Sequence, residues 1–284
     1  MKKQLFEAEV MGFCGGVRLA IEIFDKIVAE HGKVVYVLHE LVHNSVVSKN
    51  IIEKGGVFVD SLSEVPNNSL VLFGAHGVAK SVIEEAKQRN LLFYDATCPL
   101  VKKLQDKAAN LGPNDNLVIF GNPKHPEVCG VAGHSNAGNT FIVNSSSEVD
   151  LLPPMDKPVL LCQTTREHQE ISAISNALKN RFPNCDCQSG VCNAVYKRQL
   201  AIEELAKLTN LIIILGSPHS SNAARLAQIA EKCGAKSFLI NSQLDLPLDQ
   251  LANAQSVGIG AGTSTPDEVI NEVRNKLLEL GFEK

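Results

Sequence analysis

Short apolar runs alternate along the chain with longer stretches whose apolar residues recur at helical spacing. Val34–Leu38, Gly56–Val59, Ser69–Phe73 and Leu91–Ala96 read as strands of a first segment. Asn116–Phe120, Thr140–Val143 and Pro158–Cys162 follow in a second, and Leu211–Leu215, Ser237–Ile240 and Ser256–Ile259 in a third. Helical periodicity marks Ala20–Val28, Ser45–Lys54, Glu84–Arg89, Leu100–Leu111, Glu167–Phe182, Ala194–Leu208, a stretch ending at Cys233, and Asp267 to about Leu280. Pro99 is placed to open the Leu100–Leu111 helix. Pro183–Val191, with Asn184 and Gly190, predicts a loop carrying Cys185 and Cys187. Strands alternating with helices predict an α/β protein with mainly parallel sheets, in which ligands bind beyond the carboxyl ends of the strands.

Polar residues gather at those ends in a repeating way. Cys14, Cys98 and Cys192 lie 84 and 94 residues apart, with 92 residues after the last. Each is followed by a helical stretch, a strand and a polar loop: His43-Asn44, His125-Pro126-Glu127 and Ser220-Ser221-Asn222, at offsets of 29, 27 and 28 residues. A second polar loop follows in each case, with His76, Thr164 and Ser264 at offsets of 62, 66 and 72. The spacing predicts three similar α/β units, over residues 1–97, 98–191 and 192–284, that converge on one metal-bearing pocket. No linker rich in Gly and Ser separates them.

Composition narrows the class. The 284 residues are 44% hydrophobic and 20% charged, carry a net charge of −4 and contain no Trp. That describes a globular chain with no basic stripe or aromatic platform for nucleic acid. No apolar signal core follows Met1-Lys2-Lys3 before Gly12, and runs such as Leu211–Leu215 are strand-length, so no membrane span is expected. The protein reads as cytoplasmic, or as the mature form of an organellar one. Eight cysteines in a reducing compartment point to metal or redox chemistry rather than a disulfide framework.

Three cysteines from separate units suit an iron–sulfur cluster, in which three ligands instead of four leave one iron open to a substrate. Glycines around Cys14 allow close backbone approach, and a following helix start favours the thiolate. Zinc is the main metal rival, although structural zinc sites usually show close Cys pairs; Cys185 and Cys187 with Cys192 offer such local clustering but ignore the threefold spacing. Cys129, Cys162 and Cys233 follow or end apolar runs and are expected to pack as small hydrophobes. Ser220-Ser221-Asn222 and Ser264, at helix amino termini, would cradle a small anion such as phosphate, although Asn222 or Thr265 could equally serve as helix caps. Glu127, with His125 beside it and the Thr164 loop to work with, is the candidate proton donor; the alternative is a surface Glu after a turn proline. His43, His76 and His125 stand out only by positional equivalence. A non-enzymatic iron–sulfur redox sensor and a cluster-free phosphate-binding α/β enzyme are the other readings. The first has no use for Glu127 and the six loops, and the second leaves the cysteine spacing unexplained.

Phe13-Cys14-Gly15-Gly16-Val17, Val42-His43-Asn44, Ala75-His76-Gly77-Val78 and Asp95-Ala96-Thr97-Cys98-Pro99-Leu100-Val101 are followed in order by His125-Pro126-Glu127-Val128, Gln163-Thr164-Thr165, Cys192 with Arg198-Gln199, Ser220-Ser221-Asn222 and Ala261-Gly262-Thr263-Ser264. As a set, nearly end to end, they resemble the 4-hydroxy-3-methylbut-2-enyl diphosphate reductase family of the methylerythritol phosphate isoprenoid route. The resemblance implies three α/β units about a pseudo-threefold axis, with an oxygen-sensitive [4Fe-4S] cluster at the centre held by Cys14, Cys98 and Cys192. Its fourth iron would bind the substrate hydroxyl, which leaves as water on addition of two electrons and protons. The resemblance makes Glu127 the proton carrier, with Thr164 and His125 relaying and orienting. His43, His76, Ser220, Ser221, Asn222 and Ser264 would hold the diphosphate, with His125 near it, and reduced ferredoxin or flavodoxin would supply electrons. Leu19, Cys129, Pro218-His219 and Asn193 depart from the family's pattern, and none is a matched ligand or acid.

Overall fold

A computed structural model describes residues 2–32, 34–188 and 192–284. The chain opens with β1 (Lys3–Glu7), α1 (Gly15–His31), β2 (Val35–Leu38), α2 (Ser45–Glu53), β3 (Gly56–Val59), β4 (Leu70–Phe73), α3 (Lys80–Gln88) and β5 (Leu92–Asp95). It continues with α4 (Pro99–Ala109), β6 (Asn116–Phe120), α5 (Pro126–Ala132), β7 (Asn139–Val143), β8 (Val159–Cys162), α6 (His168–Arg181) and β9 (Asp186–Gln188). The last stretch holds α7 (Asn193–Ala206), β10 (Leu211–Leu215), α8 (Ser221–Lys232), β11 (Lys236–Ile240), α9 (Leu248–Asn253), β12 (Ser256–Ala261), α10 (Asp267–Glu279) and β13 (Phe282–Glu283).

Three small sheets result, with orders β3-β2-β4-β5, β7-β6-β8-β9 and β11-β10-β12-β1-β13, and every described strand pair is parallel. Parallel strands need helical crossovers, which cover both faces and demand apolar residues throughout. Hence the central strands read Leu-Val-Leu-Phe in β4 and Leu-Ile-Ile-Ile-Leu in β10, all buried. From β2 the chain crosses to β3 on one side, and from β4 to β5 on the other, so the connections reverse between the central pair. The same reversal falls between β6 and β8. Such reversals open a crevice at the carboxyl ends of the two strands.

A third sign of repetition lies at the outer strand of each sheet. After β3, β7 and β11 a Ser stands three residues before an acid: Ser61 and Glu64, Ser145 and Glu148, Ser242 and Asp245. Glu64 accepts from the Asp60 and Ser61 N–H groups at 3.0 and 2.9 Å, Glu148 from Asn144 at 3.2 Å, and Asp245 from Asn241 and Ser242 at 3.2 and 3.0 Å. Each acid satisfies donors that open a short 3-10 turn.

The chain divides into two compact units, one made of Met1–Val17, His43–Lys49 and Asn193–Lys284, the other of Arg18–Val42 and Asn50–Cys192. The first carries the β10–β12 sheet, and the second carries the other two. β1 occupies beside β12 the place that β5 and β9 take in their sheets, in register Gln4 to Ser256 through Glu7 to Ile259. Sequence spacing groups each cysteine with the strands after it. Backbone pairing instead joins Cys14 to the C-terminal sheet through β1, and Cys98 to the β2–β4 sheet through β5.

Several expectations are corrected. The Pro183–Val191 loop contains β9 over its Asp186–Gln188 part, while Ser189, Gly190 and Val191 lie outside the described residues. β1 and α5 have no counterpart in the hydrophobic pattern, because β1 is a half-buried five-residue strand and α5 is seven residues with two glycine-flanked turns. Of the three cysteines expected in the core, only Cys162 is buried; Cys129 and Cys233 are exposed, Cys129 on the outer face of α5 and Cys233 capping α8.

Leu5 anchors β1 in the core of the C-terminal sheet with Ile213, Val257 and Ile259. Leu5→Ala should cost roughly 2–5 kcal/mol. In native-state hydrogen exchange it should strip protection from β12 amides while leaving β2 and β4 unchanged. Loss of protection in β2 and β4 instead would contradict the pairing.

Candidate active site

All six polar loops follow the carboxyl ends of parallel strands and run into helices, and Cys14, Cys98 and Cys192 each stand immediately before a helix. Cys98 is the N-cap of α4 with Pro99 at its first turn, and all three cysteines are partly exposed.

In the unit that holds the C-terminal sheet, the loop after β12 is the organiser. Its Thr263 carbonyl accepts the Cys14 N–H at 3.0 Å, and its Ser264 hydroxyl donates to the His43 carbonyl at 3.1 Å. Cys14, His43 and Ser264 are thus brought together, with Asn44 capping α2 by accepting from Val46 and Val47. The Thr265 hydroxyl donates to the Leu215 carbonyl at 2.8 Å, tying this loop to the end of β10. There Ser220 is the N-cap of α8, accepting from the Ala223 N–H at 3.3 Å, and Ser221 opens the helix.

Asn222 lies on the next residue with 2% exposure, and neither atom of its amide finds a hydrogen-bond partner. A buried unpaired amide costs about 1–3 kcal/mol, so a ligand-free role as helix cap does not account for it; Ser220 already makes the cap. A Cβ on Gly262 would stand 3.1 Å from the Ala223 Cβ and 3.4 Å from Asn222 Nδ2, so the two loops meet at glycine. Arg198, buried on α7, donates to the Gly12 and Met11 carbonyls at 2.5 and 3.4 Å and fixes the turn leading to Cys14. In that turn Gly12 has φ +76°, a conformation that favours glycine.

The other unit holds Glu127, Thr164, His125 and His76. Glu127 sits in the first turn of α5 with 2% exposure, against Leu104, Ile119, Val128, Val131 and Leu161, in a space with no room for water. Its carboxyl accepts from the Thr164 N–H at 2.6 Å and the Thr164 hydroxyl at 2.8 Å. Burial pushes the carboxyl up to about 7; the two Thr164 hydrogen bonds pull the other way and are outweighed. The surface reading of Glu127 is therefore excluded. His125 is the N-cap of α5, and its Nδ1 accepts from the Glu127 N–H at 3.2 Å, which leaves the ring proton on Nε2. The His76 and His125 rings meet edge to face at 5.4 Å between centroids. The Cys98 N–H donates to the Ala75 carbonyl at 2.9 Å, next to His76.

Sequence reasoning had no role for Gln163, which accepts from the Asn122 N–H at 2.9 Å and donates to Thr165 Oγ1 at 2.9 Å, holding the Glu127 and Thr164 loops together. Its place inside the Gln163-Thr164-Thr165 motif was the available signal. Cys185 and Cys187 lie 3.8 Å apart at sulfur, packed under α6, and burial pushes the Cys185 thiol up to about 12. With Cys192 they do not gather three ligand atoms within 4.8 Å, which removes the zinc reading among the described residues.

Comparison with known proteins places these features in a wider set. The family profile described as LytB protein matches residues 5–278. The chain is 40% identical over 285 residues to a 4-hydroxy-3-methylbut-2-enyl diphosphate reductase of Methylococcus capsulatus, covering 98% of this chain and 91% of that one. It is 38% identical to the Haemophilus influenzae protein of the same name, over 96% and 90% of the two chains. Among solved structures, the E-1-hydroxy-2-methyl-but-2-enyl-4-diphosphate reductase of Plasmodium falciparum superposes with a TM-score of 0.91 at 31% identity, over 97% and 88% of the chains.

Two outcomes follow from the buried polar groups. Between about pH 4.5 and 7 the unfolded chain releases the Glu127 proton while the folded protein keeps it, so this group's contribution to stability is lost as pH rises through that window. Urea melts from pH 5 to 8 should show wild type losing roughly 3 kcal/mol more than Glu127→Gln; parallel pH profiles would refute the shift. Asn222→Leu should leave ligand-free stability unchanged or raise it by about 1–3 kcal/mol, while abolishing calorimetric binding of inorganic diphosphate. A variant that keeps that binding would rule out an anion role for Asn222.

Proposed function

Because the chain belongs to the LytB protein family, we propose that it reduces 4-hydroxy-3-methylbut-2-enyl diphosphate to isopentenyl and dimethylallyl diphosphates, the last step of the methylerythritol phosphate route. The allylic hydroxyl leaves as water, with two electrons and two protons consumed. The observation that carries this reading is the buried Glu127 carboxyl, protonated near neutral pH and bonded to Thr164 at the carboxyl end of a parallel sheet.

Cys14, Cys98 and Cys192 would hold an iron–sulfur cluster of the [4Fe-4S] type. The donor set fits: three soft thiols, each directly ahead of a helix amino terminus and partly exposed. When bound, that cluster supplies the electrons and a Lewis-acidic iron for the substrate hydroxyl. The chain's own residues do the rest. Glu127 holds a proton in a water-free setting; for transfer the 2.8 Å bond reverses, the carboxyl donating to Thr164 Oγ1 while the threonine turns its own proton onward. His125, with its ring proton on Nε2, orients the substrate between this relay and the diphosphate. Asn222 offers the unpaired amide to the diphosphate oxygens, and Ser220, Ser221, Ser264, His43 and His76 add hydroxyls and imidazoles around the α8 amino terminus and the matching loops. Electrons come from reduced ferredoxin or flavodoxin in a cytoplasmic setting; among the described residues no helix is long and apolar enough to cross a membrane.

The decisive experiment is anaerobic reconstitution with iron and sulfide, followed by assay with the hydroxymethylbutenyl diphosphate and a low-potential dye as donor. Wild type should turn brown and reduce the substrate. Glu127→Gln should take up the same chromophore and lose about 10²–10⁴-fold in kcat. Cluster uptake by wild type without reduction of the diphosphate would overturn the assignment.

A further inference from the structure

Gln105 is the one amide on the inward face of α4, among Val101, Leu104 and Ala108, and it is 1% exposed. Its Nε2 donates to the Val78 carbonyl at 3.3 Å, in the loop that carries His76. Two glycines from different elements make room for that amide. A Cβ on Gly77, in the His76 loop, would stand 2.4 Å from Gln105 Nε2, and one on Gly130, in α5, would stand 3.1 Å from it. The Gly130 position also lies 3.5 Å from the Val78 carbonyl oxygen, so α5 packs directly on the His76 loop at this point. Gly133, at the end of α5, accepts from the Lys80 N–H at 3.4 Å and completes the contact.

A buried amide in an apolar row is costly unless paired; here its pairing ties α4 to the loop after β4, and α5, the helix that follows β6, packs against the same amide at Gly130. We propose that Gln105 is a positioning residue that sets the spacing between the His76 loop and the helix bearing His125 and Glu127. Resting on the reading above, this makes one side chain responsible for the distance between diphosphate anchoring and proton delivery. The edge-to-face contact of the His76 and His125 rings is the visible result of that spacing.

Gln105→Met keeps the length of the side chain and removes the donor. In the reconstituted enzyme it should raise KM for the substrate, and the calorimetric Kd for inorganic diphosphate, about tenfold, the effect of one lost positioning hydrogen bond. Loosened packing admits water to Glu127, so the alkaline fall in kcat should move to lower pH by about one unit. Gly130→Ala pushes a methyl at the same amide and should act in the same direction, and its added effect should vanish in a Gln105→Ala background, where the methyl has space. Unchanged KM, diphosphate Kd and pH limb in Gln105→Met, with activity falling only as the folded fraction falls, would overturn the proposal. An equal effect of Gly130→Ala in both backgrounds would do the same. A wild type that takes up iron and sulfide yet leaves the substrate unreduced overturns the functional reading instead, and diphosphate binding alone then decides the role of Gln105.

Discussion

Everything in this protein depends on the parallel pairing of two central strands whose onward connections leave in opposite directions. Parallel pairing sends both strand ends to the same edge of the sheet, and the reversal keeps the crossovers from covering it. The loops after β2 and β4, after β6 and β8, and after β10 and β12 therefore stand side by side with backbone groups to spare. Apolar runs such as Leu211–Leu215 make this affordable, because a strand buried on both faces gains enough from burial to leave its polar end devoted to chemistry.

The scaffold repeats more faithfully than the chemistry it carries. Each sheet has the same four-strand core and the same Ser-to-acid turn after its outer strand β3, β7 or β11, at Ser61, Ser145 and Ser242. The polar loops after the two central strands, at the same edge, diverge. The first sheet has His76, the second His125, Glu127 and Thr164, and the C-terminal sheet Ser220, Asn222 and Ser264. Two of these residues weaken the ligand-free fold: Glu127 by being buried with its proton, and Asn222 by leaving its amide unpaired. On the proposed function, side chains kept at such cost are the ones whose partner would arrive from outside.

Strands such as Asn116–Phe120 and Leu211–Leu215 and the six loops beyond them were legible in the sequence because buried parallel strands are continuous apolar runs with abrupt polar ends. β1 was not, because Lys-Gln-Leu-Phe-Glu mixes polar and apolar residues on a half-buried strand and its partner lies at the far end of the chain. α5 hid behind Pro126 and Gly130, although Pro at a first helical turn is itself a signal. The ligand and acid candidates could be picked out by spacing and resemblance. The environment that raises the Glu127 carboxyl could not, since it is built from Leu104, Ile119 and Leu161 on three separate elements. Gln105 carried no signal because its neighbours, Gly77 and Gly130, are distant in sequence. Cys129 and Cys233 misled because an apolar run says nothing of which helix face a cysteine takes.

The placement of β1 beside β12 has a consequence for how the protein is made. β1 pairs with residues 256–259, which are synthesised long after it. At about 5–20 residues per second, it waits on the order of ten seconds to a minute for its partner. During that time the β2–β5 and β6–β9 sheets can complete themselves from local sequence, while the strand leading to Cys14 stays unpaired. The C-terminal sheet is thus a clasp that shuts only once β12 has been made, and a nascent chain cut short before β12 leaves β1 without its partner.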